Sequence, residues 1–201
     1  MEEGYIKYHL EWEYDAPLPD AEIEALNSWR KRMYDLGLIG HYDDLGVGYG
    51  NISQRCTPLR GDFVISGTQT GHLSELTAAH YTVVTDYDIP GNALWCRGPI
   101  RASSESLTHA AVYALSPIYQ AVIHIHHRGL WERLLDKIPT TSPAVPYGTP
   151  EMAHEVLRLF RETDMVVGKV FVMAGHEEGI VAFGESLDEA GQVIERMFGS
   201  G

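Results

Sequence analysis

Apolar positions along the chain recur with two periods. Ile23, Leu26, Trp29 and Met33 return at steps of three and four, which predicts a helix from about Ala21 to Leu36 with one buried stripe. Asp20, after Pro19, is read as its N-cap and Gly37 as its stop. Phe63-Val64-Ile65 and Tyr81-Thr82-Val83-Val84-Thr85 are β-branched and aromatic and predict strands, and Asn92 to Cys96 predicts another. Ser103 or Ser104 is expected to cap a helix reaching about Leu115, followed by a strand from Gln120 to His126 and a short helix from Leu130 to Lys137. Thr149 and Pro150 open a helix that ends near Thr163. Val170 to Met173 and Gly179 to Phe183 read as strands around a turn holding Gly175 and His176. Ser186-Leu187-Asp188-Glu189 is a capping box for a last helix ending near Phe198-Gly199.

Helices and short strands alternate through the whole chain, with no internal repeat, low-complexity tract or long linker. This predicts an α/β fold in one domain over residues 1–201. With 44% apolar and 21% charged residues, disorder and coiled coil are excluded. No run approaches the roughly 18 apolar residues of a membrane span, and the acidic start shows no secretory signal. The two cysteines, Cys56 and Cys96, have no paired spacing and read as reduced thiols of a cytoplasmic protein. Fifteen Lys and Arg against 28 Asp and Glu leave a net charge of −13 with no basic cluster, so nucleic acid is not an expected partner.

Ten histidines are many for this length, and their placement matters. In the strand Ala121-Val122-Ile123-His124-Ile125-His126, residues two apart share a face, about 6.6 to 6.8 Å apart. His124 and His126 therefore point one way while Ile123 and Ile125 enter a core; His127 points away from the pair, to the surface or behind the site. Two imidazoles so placed can reach one metal at about 2.0 to 2.1 Å, or simply form a polar strand face. Ser103-Ser104-Glu105 opens a helix whose hydroxyls and N–H groups suit an anion, but Ser and Glu are also ordinary first-turn residues. His109, on an apolar stretch, reads as a core histidine. His176 lies in a turn between strands, where catalytic residues are often held. Its neighbours Glu177 and Glu178 read as solvated charges. Gly46, Gly48 and Gly50 do not make a dinucleotide fingerprint, because no strand is predicted before them and no helix after.

Taken in order, these segments resemble the class II aldolase/adducin family from about Leu26 to Phe198. Gly50-Asn51-Ile52-Ser53 is similar to its Gly-Asn-x-Ser loop, and Ser103-Ser104-Glu105 with His109 to its Ser-Ser-Glu helix start. His124-Ile125-His126 resembles its His-x-His strand, Pro146-Tyr147-Gly148-Thr149 with Glu151 a further landmark, and His176 before Gly179-Ile180-Val181-Ala182 its third histidine. The resemblance implies a three-layer α/β/α domain with a central mixed, mostly antiparallel sheet. It implies that His124, His126 and His176 hold one divalent metal per subunit, zinc first, with Mn²⁺, Fe²⁺ or Co²⁺ also suited. Glu105 would sit at the metal as acid and base, and Gly50, Asn51, Thr70, Gly71, Ser103 and Ser104 would cradle a substrate phosphate. It further implies a homotetramer with sites at subunit interfaces, and a phosphorylated sugar or aldehyde as substrate.

The implied activity is a metal-dependent aldolase-type lyase that stabilises an enediolate, with sugar-phosphate dehydration or epimerisation as alternatives. The chemistry is coherent, because neutral histidines leave the cation its charge and open positions for substrate oxygens. Phosphate held by N–H groups and hydroxyls needs no net basic charge. The chain departs from the family pattern at Ala102, where proline is usual, and at Glu177 and Glu178, which lengthen the turn after His176. Ser66-Gly67-Thr68-Gln69-Thr70-Gly71 offers two candidates for the family's Thr/Ser-Gly phosphate loop. The stretch from His126 to Pro146 supplies no counterpart to a catalytic tyrosine of one aldolase in the family. A non-catalytic adducin-like module should have lost the metal ligands, which are all present here. A cupin-type dioxygenase would be all-β, with its glutamate after the His-x-His pair rather than before it.

Overall fold

The computed structural model describes residues 5–57 and 61–199; residues 1–4, part of the start read as signal-free, lie outside the described residues. In chain order the elements are β1 (His9–Glu13), α1 (Asp20–Asp35), β2 (Gly40–Tyr42), β3 (Val47–Tyr49), β4 (Asn51–Arg55), β5 (Phe63–Ser66), β6 (Tyr81–Asp88) and β7 (Ala93–Arg97). They continue with α2 (Ser106–Leu115), β8 (Ala121–His126), α3 (Arg128–Leu134), α4 (Pro150–Glu162), α5 (Met165–Gly168), β9 (Val170–Val172), β10 (Gly179–Gly184) and α6 (Leu187–Phe198). Eight strands form one sheet in the order β1-β7-β6-β5-β4-β8-β10-β9. β1 and β7 run parallel and the other neighbours antiparallel, so the sheet is mixed and mostly antiparallel as expected. β2 and β3 form a separate hairpin.

Strand alternation sorts side chains onto two covered faces. Phe63, Ile65, Val84, Val122, Val181 and Phe183 meet Ala110 and Ala111 of α2 and Met152, Val156 and Leu159 of α4. Ile52, Val64, Ile123, Ile125 and Ile180 face the other way, against Ile23, Leu26 and Met33 of α1 and Val193 and Ile194 of α6. The architecture is three layers, α/β/α. Each stripe residue of α1 that leaves water contributes at most about 1.5–3 kcal/mol, which explains why a helix of modest propensity holds its place. Cys56 is exposed and Cys96 buried, and both are unbridged.

Several boundaries differ from those predicted. Pro19 occupies the N-cap of α1 and Asp20 lies inside the first turn, without a side-chain cap bond. α2 starts at Ser106, not at Ser103 or Ser104. The carbonyl of Ser103 accepts from the Ser106 N–H (3.0 Å), the Ser106 hydroxyl (2.7 Å) and the Tyr8 hydroxyl (2.6 Å), so it is spent on a turn ahead of the helix. A strand, β2, does precede Gly46 and Gly48, which belong to the β2–β3 hairpin; no helix follows, so the dinucleotide reading stays excluded. β1 is absent from the predicted elements although His9-Leu10-Glu11-Trp12-Glu13 alternates polar and apolar residues; as an edge strand it exposes four of its five residues, Leu10 being half-buried. The capping box at α6 is half formed: Ser186 accepts from the Glu189 N–H (3.1 Å), while Glu189 accepts from the Glu185 N–H (2.7 Å).

Candidate active site

The site lies where β8 crosses the middle of the sheet. β4 and β10 flank β8, with Asn51 and Val181 opposite His124, and Gly179 opposite His126. His124 and His126 project to the α2 face, while Ile123 and Ile125 enter the opposite core. His176 comes from the β9–β10 turn, closed by its N–H on the Met173 carbonyl (3.2 Å) and by the Gly179 N–H on its own carbonyl (2.9 Å). The three rings converge, with centroids 4.9 Å (His124–His126), 5.2 Å (His124–His176) and 4.6 Å (His126–His176) apart. One nitrogen from each lies within 4.8 Å of the others, and all three residues are buried.

Glu105 precedes α2 and is 2% exposed. The Thr108 hydroxyl donates to its Oε2 (2.8 Å), and its Oε1 lies 3.4 Å from His176 Nδ1. Glu105 thus reaches the cluster from the turn ahead of the helix, while Ser103 and Ser104 line the space beside it.

Burial pushes the pKa of both His124 and His126 well below the usual histidine value, and their neighbours' positive charge would add to the effect. Neutral imidazoles are the metal-binding form. The Nε2 of His124 is buried and meets no hydrogen-bond partner in the protein. Such an atom costs about 1–3 kcal/mol unless something binds it. Gly179 keeps that point open: a Cβ there would lie 3.2 Å from His176 Nδ1 and 3.3 Å from His124 Nε2. Neutral, converging nitrogens around space kept clear by a glycine fit a divalent cation.

Two residues behind His126 carried no sequence signal. The Tyr42 hydroxyl donates to Glu178 Oε2 (2.5 Å) and lies 3.1 Å from His126 Nδ1. Its proton being committed to Glu178, it accepts from Nδ1–H, which leaves the Nε2 lone pair of His126 for a metal. Glu178 is therefore not the solvated charge expected; it is held in a left-handed turn (φ 71°) with its carboxylate turned inward. Glu177 does reach the surface, where it pairs with Arg128 (2.7 Å). Tyr147 stacks on His176 (4.4 Å, 26°) and Tyr49 on His126 (5.4 Å, 28°), walling the cluster. His127 is half-buried, in line with its expected place at or near the surface, and caps α3 by accepting from the Leu130 N–H (2.9 Å).

Next to the cluster, a small pocket is lined by residues 48–51, 67–71 and 103–105 together with His124. It gathers every residue expected to cradle phosphate: Gly50, Asn51, Thr70, Gly71, Ser103 and Ser104. Three of them are already engaged, Ser103 by accepting from the Glu105 N–H at its hydroxyl (3.3 Å). The Thr70 hydroxyl donates to the Gly67 carbonyl (2.9 Å), and the Asn51 amide lies between His109 (2.6 Å) and His124 (3.4 Å). Gly71 has no room for a side chain, since a Cβ would come within 2.0 Å of the Gly40 carbonyl oxygen. Behind the loop, Arg30 of α1 is 2% exposed and donates to the carbonyls of Thr70 (3.0 Å) and Gly71 (3.3 Å). Its Nη1 is buried without a hydrogen bond, and its guanidinium lies over Tyr34 (4.8 Å). Arg30 falls at the stripe position seven after Ile23 and four after Leu26, a signal present in the sequence.

A family model, the class II aldolase and adducin N-terminal domain, matches residues 31–197. The chain belongs to this family. Among curated proteins it is similar to the 3-oxo-tetronate 4-phosphate decarboxylase of Haemophilus influenzae, 27% identical over 195 residues, covering 87% of this chain and 80% of that one. Its fold is shared with an L-fuculose 1-phosphate aldolase (TM-score 0.67, 19% identity, 90% of this chain and 84% of that one). It is also shared with a sugar-phosphate aldolase from Thermotoga maritima (TM-score 0.65, 17% identity, 88% and 90%). As a class II aldolase family member the chain carries a three-histidine cluster that could bind a divalent metal. Among the described residues no helix is long and apolar enough to cross a membrane.

Proposed function

We propose that the chain is a metal-dependent lyase that breaks or forms a C–C bond beside a carbonyl in a sugar phosphate or related hydroxy-ketone. The observation that carries this reading is the meeting of three buried imidazoles and one buried carboxylate at the edge of a pocket rich in N–H groups and hydroxyls. His124, His126 and His176 would hold the ion, zinc by preference, with Mn²⁺, Fe²⁺ and Co²⁺ also suited to imidazole. When bound, the ion supplies Lewis-acid stabilisation for the enediolate that develops as the bond breaks.

The chain's own groups do the rest. Thr108 pins Glu105 at Oε2 and turns Oε1 toward His176, so the carboxylate can take a proton from the substrate and return it. Gly50, Ser103, Ser104 and the Thr70–Gly71 loop would receive the phosphate, with Arg30 placing positive charge behind the loop. A cytoplasmic homotetramer with sites at subunit interfaces accompanies this reading.

The likeness to a decarboxylase favours a second reading on the same residues. A 3-oxo acid that loses CO₂ leaves the same enediolate without first giving up a hydroxyl proton, so one proton transfer fewer is required. The test is a panel of ketose phosphates, phosphorylated 3-oxo sugar acids and aldehydes offered to the zinc-loaded protein. Triose phosphate released together with an aldehyde and without CO₂ supports the aldolase, and triose phosphate released with CO₂ the decarboxylase. Epimerised or dehydrated product alone, or no turnover of any member, overturns the lyase reading.

A further inference from the structure

We infer that metal capture at His124 reverses a buried hydrogen-bond chain through Asn51, and that His109 is a positioning residue of the metal site. The inference rests on the metal reading above. Five buried side chains line up from α2 to β8: Tyr113, Ser53, His109, Asn51 and His124. The links are Tyr113 Oη to Ser53 Oγ (2.7 Å), Ser53 Oγ to His109 Nδ1 (2.6 Å), His109 Nε2 to Asn51 Oδ1 (2.6 Å) and Asn51 Nδ2 to His124 Nδ1 (3.4 Å).

Each proton in this chain can be placed. Complete burial pushes the His109 pKa down to about 3, so at neutral pH it carries one N–H. Asn51 Oδ1 only accepts, so that N–H is on Nε2. His109 Nδ1 then accepts from the Ser53 hydroxyl, whose oxygen accepts from Tyr113. At the other end the Asn51 amide donates to His124 Nδ1, which leaves the His124 proton on Nε2, beside His176 Nδ1.

A ligating nitrogen needs its lone pair. Binding at His124 Nε2 moves that proton to Nδ1, where it would face an N–H of Asn51. Turning the amide over removes the clash: Oδ1 accepts from His124 and Nδ2 donates to His109 Nε2. The His109 proton then moves to Nδ1 and donates to Ser53, and the Ser53 hydroxyl swings to the Tyr113 oxygen. Four hydrogen bonds exist in either direction. Only the surplus donor changes place, from His124 Nε2 to the Tyr113 hydroxyl. All four links invert, and the one at His124, where the reversal starts, is the longest at 3.4 Å. An amide, having a donor side and an acceptor side, transmits this direction; a carboxylate would not.

Histidine nitrogen NMR of the isotope-labelled full chain, before and after one equivalent of Zn²⁺, reads the switch directly. The expected result is His109 passing from the Nε2–H to the Nδ1–H tautomer on loading. Stoichiometric zinc uptake with an unchanged His109 tautomer overturns the inference and leaves the metal reading standing. Failure to take up zinc overturns the metal reading itself. The variant Asn51→Asp accepts from both neighbours, so zinc should bind roughly tenfold or more tightly and His109 should stay Nε2–H throughout. Unchanged or weaker binding by Asn51→Asp would contradict the inference; if that variant fails to fold, the wild-type spectra decide.

Discussion

The two ends of the pocket prepare for charge in opposite ways. At the metal end, three imidazoles and a carboxylate converge from β8, the β9–β10 turn and the start of α2, and burial keeps His124 and His126 neutral until a cation arrives. At the phosphate end the side chains are largely spent: Thr70 on Gly67, and Asn51 on His109 and His124. What remains there is backbone, seated on the β2–β3 hairpin by Gly71 and held from behind by Arg30. One end relies on the chemistry of side chains and the other on the placement of peptide groups. On the proposed reading, a chain of net charge −13 would bind an anion without a basic surface, by keeping one guanidinium inside.

Substitutions at the metal end should abolish chemistry outright, the largest effect expected. The wild type should carry about one divalent ion per chain, and a His124→Ala/His126→Ala variant almost none. Loss of Lewis-acid stabilisation worth several kcal/mol should then slow turnover roughly 10³-fold or more. Metal analysis alongside the rate measurement checks both halves, and a double variant that kept its metal would place the ion elsewhere. Glu105 sits where the two ends meet. Glu105→Gln should retain the ion while kcat falls by about 10²- to 10⁴-fold. Unchanged kcat with full metal content would remove Glu105 from the proton transfers.

The phosphate end should answer differently. Arg30→Met keeps much of the buried volume but removes charge and two donors from the carbonyls of Thr70 and Gly71. Charge-assisted hydrogen bonds are worth about 1.5–3 kcal/mol, and about 1.4 kcal/mol is tenfold in binding. KM for a phosphorylated substrate should rise roughly tenfold, kcat should change little, and a substrate lacking phosphate should be unaffected. An equal loss on both substrates would mean that Arg30 only supports the fold.

The same contrast explains what the sequence disclosed. His124 and His126 were legible because strand alternation forces them onto one face, and Ile123 and Ile125 onto the other, whatever the rest of the chain does. His176 and Glu105 could be tied to them only by family resemblance, since nothing local brings residues 105, 124 and 176 together. Glu178 was misread because its inward turn depends on a hydroxyl from Tyr42, 136 residues away in the chain. Arg30 was legible in principle, as a cation on an apolar stripe. The helix starts at Asp20 and Ser106 shifted because proline and a committed carbonyl, rather than favoured cap residues, decided them. The edge strand β1, parallel to β7, was legible in principle too, since Leu10 and Trp12 alternate with His9, Glu11 and Glu13.

The smallest expected effect concerns His109, which links the two ends through Asn51. Its pKa in the fold, about 3, lies below the ordinary 6.5 because burial disfavours the charged ring. Unfolding releases the ring to water, so between those values the unfolded chain binds a proton that the folded chain refuses. Stability from this residue is therefore complete above about pH 6.5 and falls as the pH drops toward 3, by about 1.4 kcal/mol per pH unit. A His109→Asn variant of the metal-free protein lacks that proton uptake while keeping a polar group at the position. Urea unfolding of both proteins at several pH values between 7.5 and 5 should give a stability difference that shrinks toward acid, because the wild type alone loses this contribution. A pH-independent difference would mean that His109 reaches water or a counter-charge in the folded protein. The neutral ring that the hydrogen-bond chain between Tyr113 and His124 requires would then be absent.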